Sequence, residues 1–406
     1  MTSGMGNLTN LYAQLGRWNV GAIYDARTFS QLERLLTINM TGTMTGRIYL
    51  DHAATTAMLP AAIDAVGVAM RRWANPSSPH AEGRAAKAAL EAARAQVAAA
   101  YGWTGETLFT SGASESLAIA THRTDVTSRI ITAVEHDAVM RHSDLGAGPQ
   151  TIVLPVGADG VLALETLDCA LSTAGLALVT VQWANSETGV RQPISEIARV
   201  VHARGGLLLV DAAQMPAGAG PDVAEHADFV ALSAHKRGGP PGVGALLVRD
   251  LGTLSPTGGQ ERGYRPGTEN LPAALGYAAA LAQPEPIDDY ARLRAMLDDG
   301  VLRSGGAIIA AESLRHPAIG AYRMIGVPSF VQLIDFDAAG FAVSAGSACA
   351  SGSMKPSHVL AAIGLPEPAG REVVRASFGR TTSEDHVRAF IAAWRGIARA
   401  KQRFVA

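Results

Sequence analysis

Short runs of apolar residues, separated by segments of helical composition, follow one another along the chain from Ile48 onwards. An apolar run without polar alternation predicts a strand that is buried on both faces, as in a parallel sheet. The predicted strands are residues 129–134, 176–181, 207–210, 229–232 and 243–248. Because helices connect them, we expect an α/β fold with a mostly parallel central sheet and helices on both faces.

Two features of the pattern suggest how the chain is divided. Residues 84–101 have the composition of a helix that ends at Gly102, and the composition changes again at the proline-containing residues 283–286. We expect a large domain over residues 61–284. Residues 47–60 and 285–406 are expected to form a smaller α+β domain, and residues 1–46 an N-terminal extension without site chemistry.

Composition narrows the classes of function. The chain has 406 residues, 48% of them hydrophobic and 17% charged, which is typical of a globular protein. Its formal net charge of -2 provides no basic field, so we expect neither a nucleic-acid partner nor an anionic membrane. Its two cysteines predict no disulfide framework and favour the cytoplasm. We also find no transmembrane run and no secretory signal.

Lys236 and Asp211 follow two of the predicted strands, and Gln214 lies three residues beyond Asp211. Ligands of parallel sheets bind beyond the carboxyl ends of the strands. A buried lysine can form a Schiff base with an aldehyde cofactor, and a carboxylate can hold a protonated pyridine nitrogen. Together these residues predict pyridoxal phosphate (PLP), although each residue alone is more typical of a surface lysine or a helix-capping aspartate.

Residues 110–116, a glycine- and serine-containing turn, follow a short apolar piece and open a predicted helix. Free N–H groups at such a helix start can bind a phosphate. Ser114 is equally well explained as an ordinary N-cap. The chain has no Walker or dinucleotide fingerprint, and residues 235–239 lack the ending that a P-loop requires.

Two further polar segments come at strand ends. His136 follows a predicted strand, where it can stack on a cofactor ring and transfer protons, or be an ordinary loop histidine. Residues 185–189 form a polar turn after the next predicted strand. Contact with a cofactor and an ordinary strand-to-helix turn are equally plausible readings of this turn.

Cys349 lies in residues 344–353, a run of very small residues with little packing content. Structural cysteines are usually buried, so a thiol in such a loop is better explained as a nucleophile. Cys169, by contrast, lies in a helical pattern and is interpreted as a core or surface residue.

Arg375 interrupts an apolar run near the C-terminus. Its planar guanidinium group matches a carboxylate with two parallel hydrogen bonds, which suits a substrate α-carboxylate. A structural ion pair with Glu372 or Asp385 is an equally good explanation from the residues alone.

Taken in order, these segments resemble the cysteine desulfurases, PLP enzymes of fold type I within the class V aminotransferase group. The likeness extends over residues 48–390, and the Gly346–Cys349 segment resembles the long-loop subgroup that serves iron–sulfur cluster assembly and thiolation. The matching segments are residues 49–56, 75–80, 110–115, 135–136, 185–189, 211–214, 233–236, 258–262, 265–268, 346–349 and 375.

The resemblance implies a role for each site residue. Lys236 would hold the cofactor, Asp211 would pair with its ring nitrogen and Gln214 with its ring hydroxyl. His136 would stack on the ring and transfer protons, and Cys349 would take the sulfur. The implied phosphate ligands are Ala113, Ser114, Ser233 and His235.

The remaining implied roles concern the substrate and a partner subunit. Arg375 and Asn185 would bind the substrate, L-cysteine. Ser186 would contact the cofactor, although the family commonly has asparagine there. Thr268 would reach the phosphate of a partner subunit, which implies a homodimer, and a sulfur-acceptor or iron–sulfur scaffold protein would receive the sulfur.

Three alternatives to a cysteine desulfurase remain open from the residues. Another PLP reaction is one, either as a selenocysteine lyase or as an aminotransferase, although an aminotransferase has no need of Cys349. A non-enzymatic scaffold is the second, and intact Lys236 and Asp211 argue against it. A histidine metal site is the third, and the spacing of His52, His80, His136 and His235 fits no ligand pattern. We therefore predict no metal.

Overall fold

The computed structural model describes residues 47–141, 149–346 and 356–405, with side chains described as far as residue 400. The predicted N-terminal extension and Cys349 lie outside these residues. The strands are β1 (Ile48–Tyr49), β2 (Glu106–Thr110), β3 (Ser128–Thr132), β4 (Gln150–Leu154), β5 (Ala177–Gln182), β6 (Leu207–Asp211), β7 (Phe229–Ser233), β8 (Gly244–Val248), β9 (Ala307–Ile308), β10 (Ile319–Arg323), β11 (Phe341–Ala342) and β12 (Val373–Ser377).

Helices connect most of these strands. They are α1 (Pro60–Arg71), α2 (Ala81–Ala100), α3 (Ala113–Arg123), α4 (Asp137–Met140), α5 (Leu164–Leu171), α6 (Ile194–Ala203), α7 (Pro221–His226), α8 (Leu271–Leu281), α9 (Ile287–Leu302), α10 (Ser329–Ala338), α11 (His358–Ala362), α12 (Glu367–Gly370) and α13 (Glu384–Val405). Among the helices that the structure describes, none combines the length and the apolar character needed to cross a bilayer.

The central sheet has seven strands in the order β2-β8-β7-β6-β5-β3-β4. Neighbours from β7 to β4 are parallel, and β8 alone among these strands runs against both of its neighbours. Every residue of β3, β5, β7 and β8 is buried. The predicted α/β architecture with a mostly parallel sheet is therefore confirmed.

A hydrophobic core covers each face of the sheet. Successive side chains of a strand point to opposite faces, so one strand contributes to both cores. In β6, Leu208 and Val210 join a core that α2, α6 and α8 complete. Leu209, between them, joins a second core together with Leu117 of α3. Because both faces are buried, residues 207–210 of this strand are all apolar.

A separate core is built mainly from the C-terminal part of the chain. Tyr290, Phe336, Phe390 and Trp394 are fully buried in it, together with Leu50 from the N-terminal side. The three-stranded sheet β12-β10-β9 and the parallel pair β1-β11 belong to this part of the chain. Residues from Ile48 onwards group by their contacts as one unit. The division into domains over residues 61–284, and over 47–60 with 285–406, stays a prediction.

The element boundaries differ from the predicted ones by up to three residues. The helix predicted over residues 84–101 begins three residues earlier, because the His80 side chain accepts a hydrogen bond from the Gly83 N–H at 3.3 Å and caps it. Its end is as expected, since Gly102 has a φ of +64°, which glycine adopts at little cost. The strand predicted over residues 129–134 ends at Thr132.

Candidate active site

A cavity of about 450 Å³ opens at the carboxyl ends of the parallel strands. Its lining comes from the ends of β5, β6 and β7, the start of α3 and the segment that follows β1. Those among its lining residues that were predicted as site residues are Ala113, Ser114, His136, Ser186, Asp211, Gln214, Ser233, His235, Lys236 and Arg375.

Lys236 and Asp211 face this same cavity. β6 ends at Asp211 and β7 at Ser233, and the two strands are parallel neighbours with Asp211 opposite Ala231. One turn of 3₁₀ helix, Ala234–Lys236, then carries the lysine into the cavity lining. Asp211 is 6% exposed, and its Oδ1 accepts the Ala213 N–H at 3.0 Å. An amine and a carboxylate thus come from adjacent strands.

The start of α3 forms a cradle of backbone N–H groups. Gly112, with a φ of 153°, is the N-cap residue, so Ser114 lies in the first turn and is not the cap. Gly244 of β8 packs against this turn and has no room for a side chain, because a Cβ there would stand 2.6 Å from the Gly112 Cα. The Glu115 carboxylate accepts a hydrogen bond from the Ser111 N–H and one from Arg265 Nε, at 3.1 Å for the latter.

His235 stands beside the lysine and is held neutral. Burial, together with the positive charges of Lys236 and Arg237, lowers the pKa of its imidazole to about 4. Its Nδ1 lies 3.0 Å from the Thr55 hydroxyl. A neutral imidazole can still donate one hydrogen bond to an anion in the cavity.

His136 caps α4 from the opposite side of the cavity lining. Its Nδ1 accepts the Ala138 N–H at 3.1 Å, which leaves Nε2 as the protonated nitrogen of the neutral ring. Burial lowers the pKa of His136, Asp211 opposes the shift and Lys236 adds to it. A neutral His136 can therefore accept a proton only after exchanging this cap.

Gln214 has one satisfied and one unsatisfied side-chain atom. Its Nε2 donates to the backbone oxygen of Ala53 at 2.9 Å. Its Oε1 is buried and has no hydrogen-bond partner within the described ranges. A buried acceptor without a donor is costly, so this atom suits a ligand hydroxyl group.

Arg375 of β12 lines the cavity, but its counter-ion is not a predicted one. Its Nη2 donates to Asp51 Oδ1 at 2.5 Å and its Nη1 to the backbone oxygen of Ser186 at 2.8 Å. The sequence had also left open a structural ion pair of Arg375 with Glu372 or Asp385. Arg375 does form an ion pair, but its acidic partner is Asp51. The sequence offered no signal for the correct one, which lies 324 residues away.

Of the predicted site residues that the structure describes, two are not among the cavity lining. Asn185 is 3% exposed, and its side-chain amide is engaged by the protein itself. Its Oδ1 accepts hydrogen bonds from the N–H groups of Glu187 and Thr188 in the same turn, and its Nδ2 donates to the backbone oxygen of Val134. The structure therefore gives Asn185 a supporting position behind Ser186. Thr268 is exposed on the segment before α8.

Sequence reasoning missed one lining residue that carries polar chemistry. Gln182, the last residue of β5, is 3% exposed and donates from Nε2 to the Val134 oxygen at 2.7 Å. Like Asp211, it is a polar residue at the carboxyl end of a largely apolar strand, and that position was the available signal. Within the described ranges, three or more His, Cys, Asp or Glu side chains nowhere gather as a metal site.

The family described as aminotransferase class-V matches residues 48–390 of the chain. A cysteine desulfurase of Cereibacter sphaeroides is 38% identical over 362 residues, which cover 83% of this chain and 92% of that protein. The chain belongs to the cysteine desulfurases of this family. An IscS-like cysteine desulfurase of Mycobacterium tuberculosis is 37% identical over 88% of the chain and 98% of its own length. The predicted family is thereby confirmed.

The fold agrees with solved cysteine desulfurase relatives. A NifS-like protein of Rickettsia africae superposes with a TM-score of 0.79 at 29% identity, covering 87% of this chain and 99% of that one. Cysteine desulfurases of this family depend on pyridoxal phosphate. The cavity fits that cofactor, since it offers an amine, a carboxylate, an unpaired amide oxygen at Gln214 and the N–H groups at the start of α3.

Proposed function

We propose that this chain is a cysteine desulfurase that releases L-alanine from L-cysteine and carries the sulfur as a persulfide on Cys349. The observation that carries the proposal is the placement of Lys236 and Asp211 on adjacent strands, facing the same cavity as Arg375. A solved structure of SspA in complex with cysteine, 27% identical with a TM-score of 0.73, supports cysteine as the ligand.

Lys236, Asp211 and Gln214 would hold the cofactor, with the phosphate at the start of α3 beside Ser233 and His235. When bound, pyridoxal phosphate supplies an aldehyde for the substrate amine and a ring that stores an electron pair. Asp211 keeps the ring nitrogen protonated, because its carboxylate favours the cationic form.

The protein side chains then act on the substrate. Arg375 binds the α-carboxylate, and Lys236, released from the cofactor, takes the α-proton on Nζ. The Cys349 thiolate attacks the substrate sulfur. The S–S bond forms as the Cβ–S bond breaks, and the electron pair of that bond remains with the carbon fragment, which is protonated to L-alanine.

Chain connectivity supports a role for Cys349 near Arg375. Ser344 and Arg375 exchange backbone hydrogen bonds of 3.2 and 2.7 Å, and Cys349 follows five residues later. The described chain resumes at residue 356, and there Ser357 Oγ donates to Glu187 Oε2 at 2.5 Å.

We also propose the finer parts of the function. The enzyme would work as a homodimer through Thr268 and pass its sulfur to an acceptor protein for iron–sulfur cluster assembly or thiolation. The cytoplasm is the proposed compartment, on the basis of a chain with two cysteines, of which Cys169 is free.

The proposal is tested with the two cysteines of the chain. Cys349→Ser should lower alanine formation from L-cysteine by at least about 100-fold, because the hydroxyl group is a far weaker nucleophile than a thiolate. The absorbance of the bound cofactor should not change. Cys169→Ser is the matched control, since Cys169 is exposed on α5 and should be replaceable without loss.

Two results would contradict this function. One is alanine formation that survives in Cys349→Ser. The other is keto-acid exchange between amino acids at a rate above that of alanine formation from cysteine, which is the behaviour of an aminotransferase.

A further inference from the structure

Asp51 lies in the segment between β1 and α1 and meets the guanidinium group of Arg375. The two side chains are 18% and 5% exposed, so solvent screens their attraction poorly. Segment 49–56 was recognised in the sequence as a motif, and the proposed reaction gives Asp51 no part in it.

Both carboxylate oxygens of Asp51 are engaged. Oδ1 accepts from Arg375 Nη2 at 2.5 Å, and Oδ2 accepts from Ser344 Oγ at 2.8 Å. The backbone oxygen of Asp51 also accepts from the Tyr49 hydroxyl at 3.1 Å. The carboxylate is therefore fixed in place against the guanidinium group.

The guanidinium group is held from two sides but keeps N–H groups for a ligand. Nη1 donates to the Ser186 oxygen and Nη2 to Asp51, while Nε is buried without a partner in the part of the chain that the structure describes. A substrate carboxylate prefers two N–H groups on one edge. A guanidinium group has five N–H donors. N–H groups therefore remain for a substrate carboxylate, which would bind next to a carboxylate of the same charge.

We propose that Asp51 is a resident counter-ion of Arg375 and sets the affinity and selectivity of the site for α-carboxylate substrates. The inference rests on the proposed function, in which Arg375 binds the carboxylate of cysteine. Asp51 neutralises Arg375 between turnovers, and its negative charge repels the substrate carboxylate. Binding of any carboxylate, including that of the product alanine, is thereby weakened, whereas binding of an amine without a carboxylate is not.

Asp51→Asn tests the proposal because asparagine keeps the shape and the acceptor oxygen but removes the charge. In the holoenzyme, the absorbance change of the cofactor gives the affinity for L-alanine and for ethylamine, which has no carboxylate. We expect L-alanine to bind about tenfold more tightly to the variant, because a like charge next to its carboxylate is gone. The affinity for ethylamine should stay within about twofold of that of the unaltered enzyme.

Two control variants separate charge from geometry. Ser344→Ala releases Oδ2 but leaves the charge, so the alanine affinity should change by less than about threefold. Asp299→Asn removes the same charge from an exposed pair with Arg303 and should change neither affinity. If Asp51→Asn does not accumulate as folded protein, Asp51→Ser removes the same charge and replaces it.

Unchanged or weaker alanine binding in Asp51→Asn would overturn the inference, because Asp51 would then act only to orient Arg375. An equal change for alanine and ethylamine would also overturn it. Failure of the proposed function has a different signature: the unaltered protein would show no absorbance response to L-alanine at all.

Discussion

At the scale of single residues, Glu135 is a buried carboxyl group with a strongly raised pKa. It is fully buried next to His136, with Oε1 accepting from the Thr132 hydroxyl at 2.6 Å. Burial raises the pKa of the Glu135 carboxyl to about 8; the Thr132 hydrogen bond opposes this and nearby Asp211 adds to it. Glu135 therefore favours the protonated form at neutral pH.

A raised carboxyl pKa makes stability depend on pH with a definite sign. Between the unshifted value of 4.5 and about 8, the folded chain binds one proton more than the unfolded chain. The free energy of unfolding should fall by about 1.4 kcal/mol per pH unit from this group as the pH rises over that range. Glu135→Gln should remove this slope, as measured by urea unfolding at pH 5.5 and 7.5. An identical slope in both proteins would mean that Glu135 is ionised.

The sequence reveals residues whose position follows from local pattern, and hides those whose chemistry depends on distant neighbours. Asp211 and Lys236 were predictable because each ends an apolar strand, and parallel strands bring their ends to one edge. The partner of Arg375 was not, because Asp51 lies 324 residues away in the sequence. The substrate role of Asn185 came from the family resemblance and stays a prediction, while the hydrogen bonds of its side chain within and beside its turn left no sign in the sequence.

At the scale of elements, a buried ion pair joins α2 to the segment that carries Thr268. Arg94 Nη1 donates to Glu261 Oε2 at 2.6 Å, and the same oxygen accepts the Phe109 N–H at 2.9 Å. Glu261 has a φ of 46°, in the left-handed region that is unfavourable for a residue with a Cβ. The ion pair thus holds the segment in a conformation that it would not adopt alone.

Arg94 also contacts Glu91, which provides a matched comparison. Glu261→Gln should lower the free energy of unfolding by about 3 kcal/mol, because it leaves Arg94 buried without its main counter-ion. Glu91→Gln should cost less than about 1 kcal/mol, since the Glu91 side chain is 47% exposed. Urea unfolding of both variants measures the difference. Equal losses would show that burial does not govern the strength of these pairs.

The strands could be predicted better than the segments between them. An apolar run fixes a strand because both faces of the sheet are covered, as the alternation of Leu208, Leu209 and Val210 between two cores shows. The conformation of Glu261 depends on Arg94, which lies 167 residues earlier in the chain. Pairings of that kind leave no periodic signal in the sequence.

At the scale of the whole molecule, the proposed homodimer assigns Thr268 to the active site of the partner subunit. Thr268 is exposed, and the Gly267 N–H beside it is fixed to Gln260 Oε1 at 2.8 Å. Its segment is anchored to the cofactor side of the same chain by Arg265 and Glu115. Within one subunit, the start of α3, which would bind its own phosphate, and Thr268, which would reach the phosphate of the partner, are therefore mechanically linked.

Mixed dimers test this arrangement. Chains carrying Lys236→Ala and chains carrying Thr268→Ala, each inactive or weakened alone, are combined with different affinity tags. The mixed dimer should contain one complete site, with the cofactor affinity of the unaltered enzyme and about half of its alanine-forming activity. A mixed dimer that binds the cofactor as weakly as Thr268→Ala alone would show that the threonine serves its own subunit.

The pairing of β1 with β11 has a consequence for the order of events during translation. Ile48 leaves the ribosome 293 residues before Phe341, its partner in the parallel ladder. At about 5–20 residues per second, roughly 15 to 60 s separate their synthesis. During that interval Leu50, which ends fully buried, has no C-terminal core to enter. The nascent chain must therefore keep this early strand unpaired, and so available to chaperones, until almost all of the polypeptide has been made.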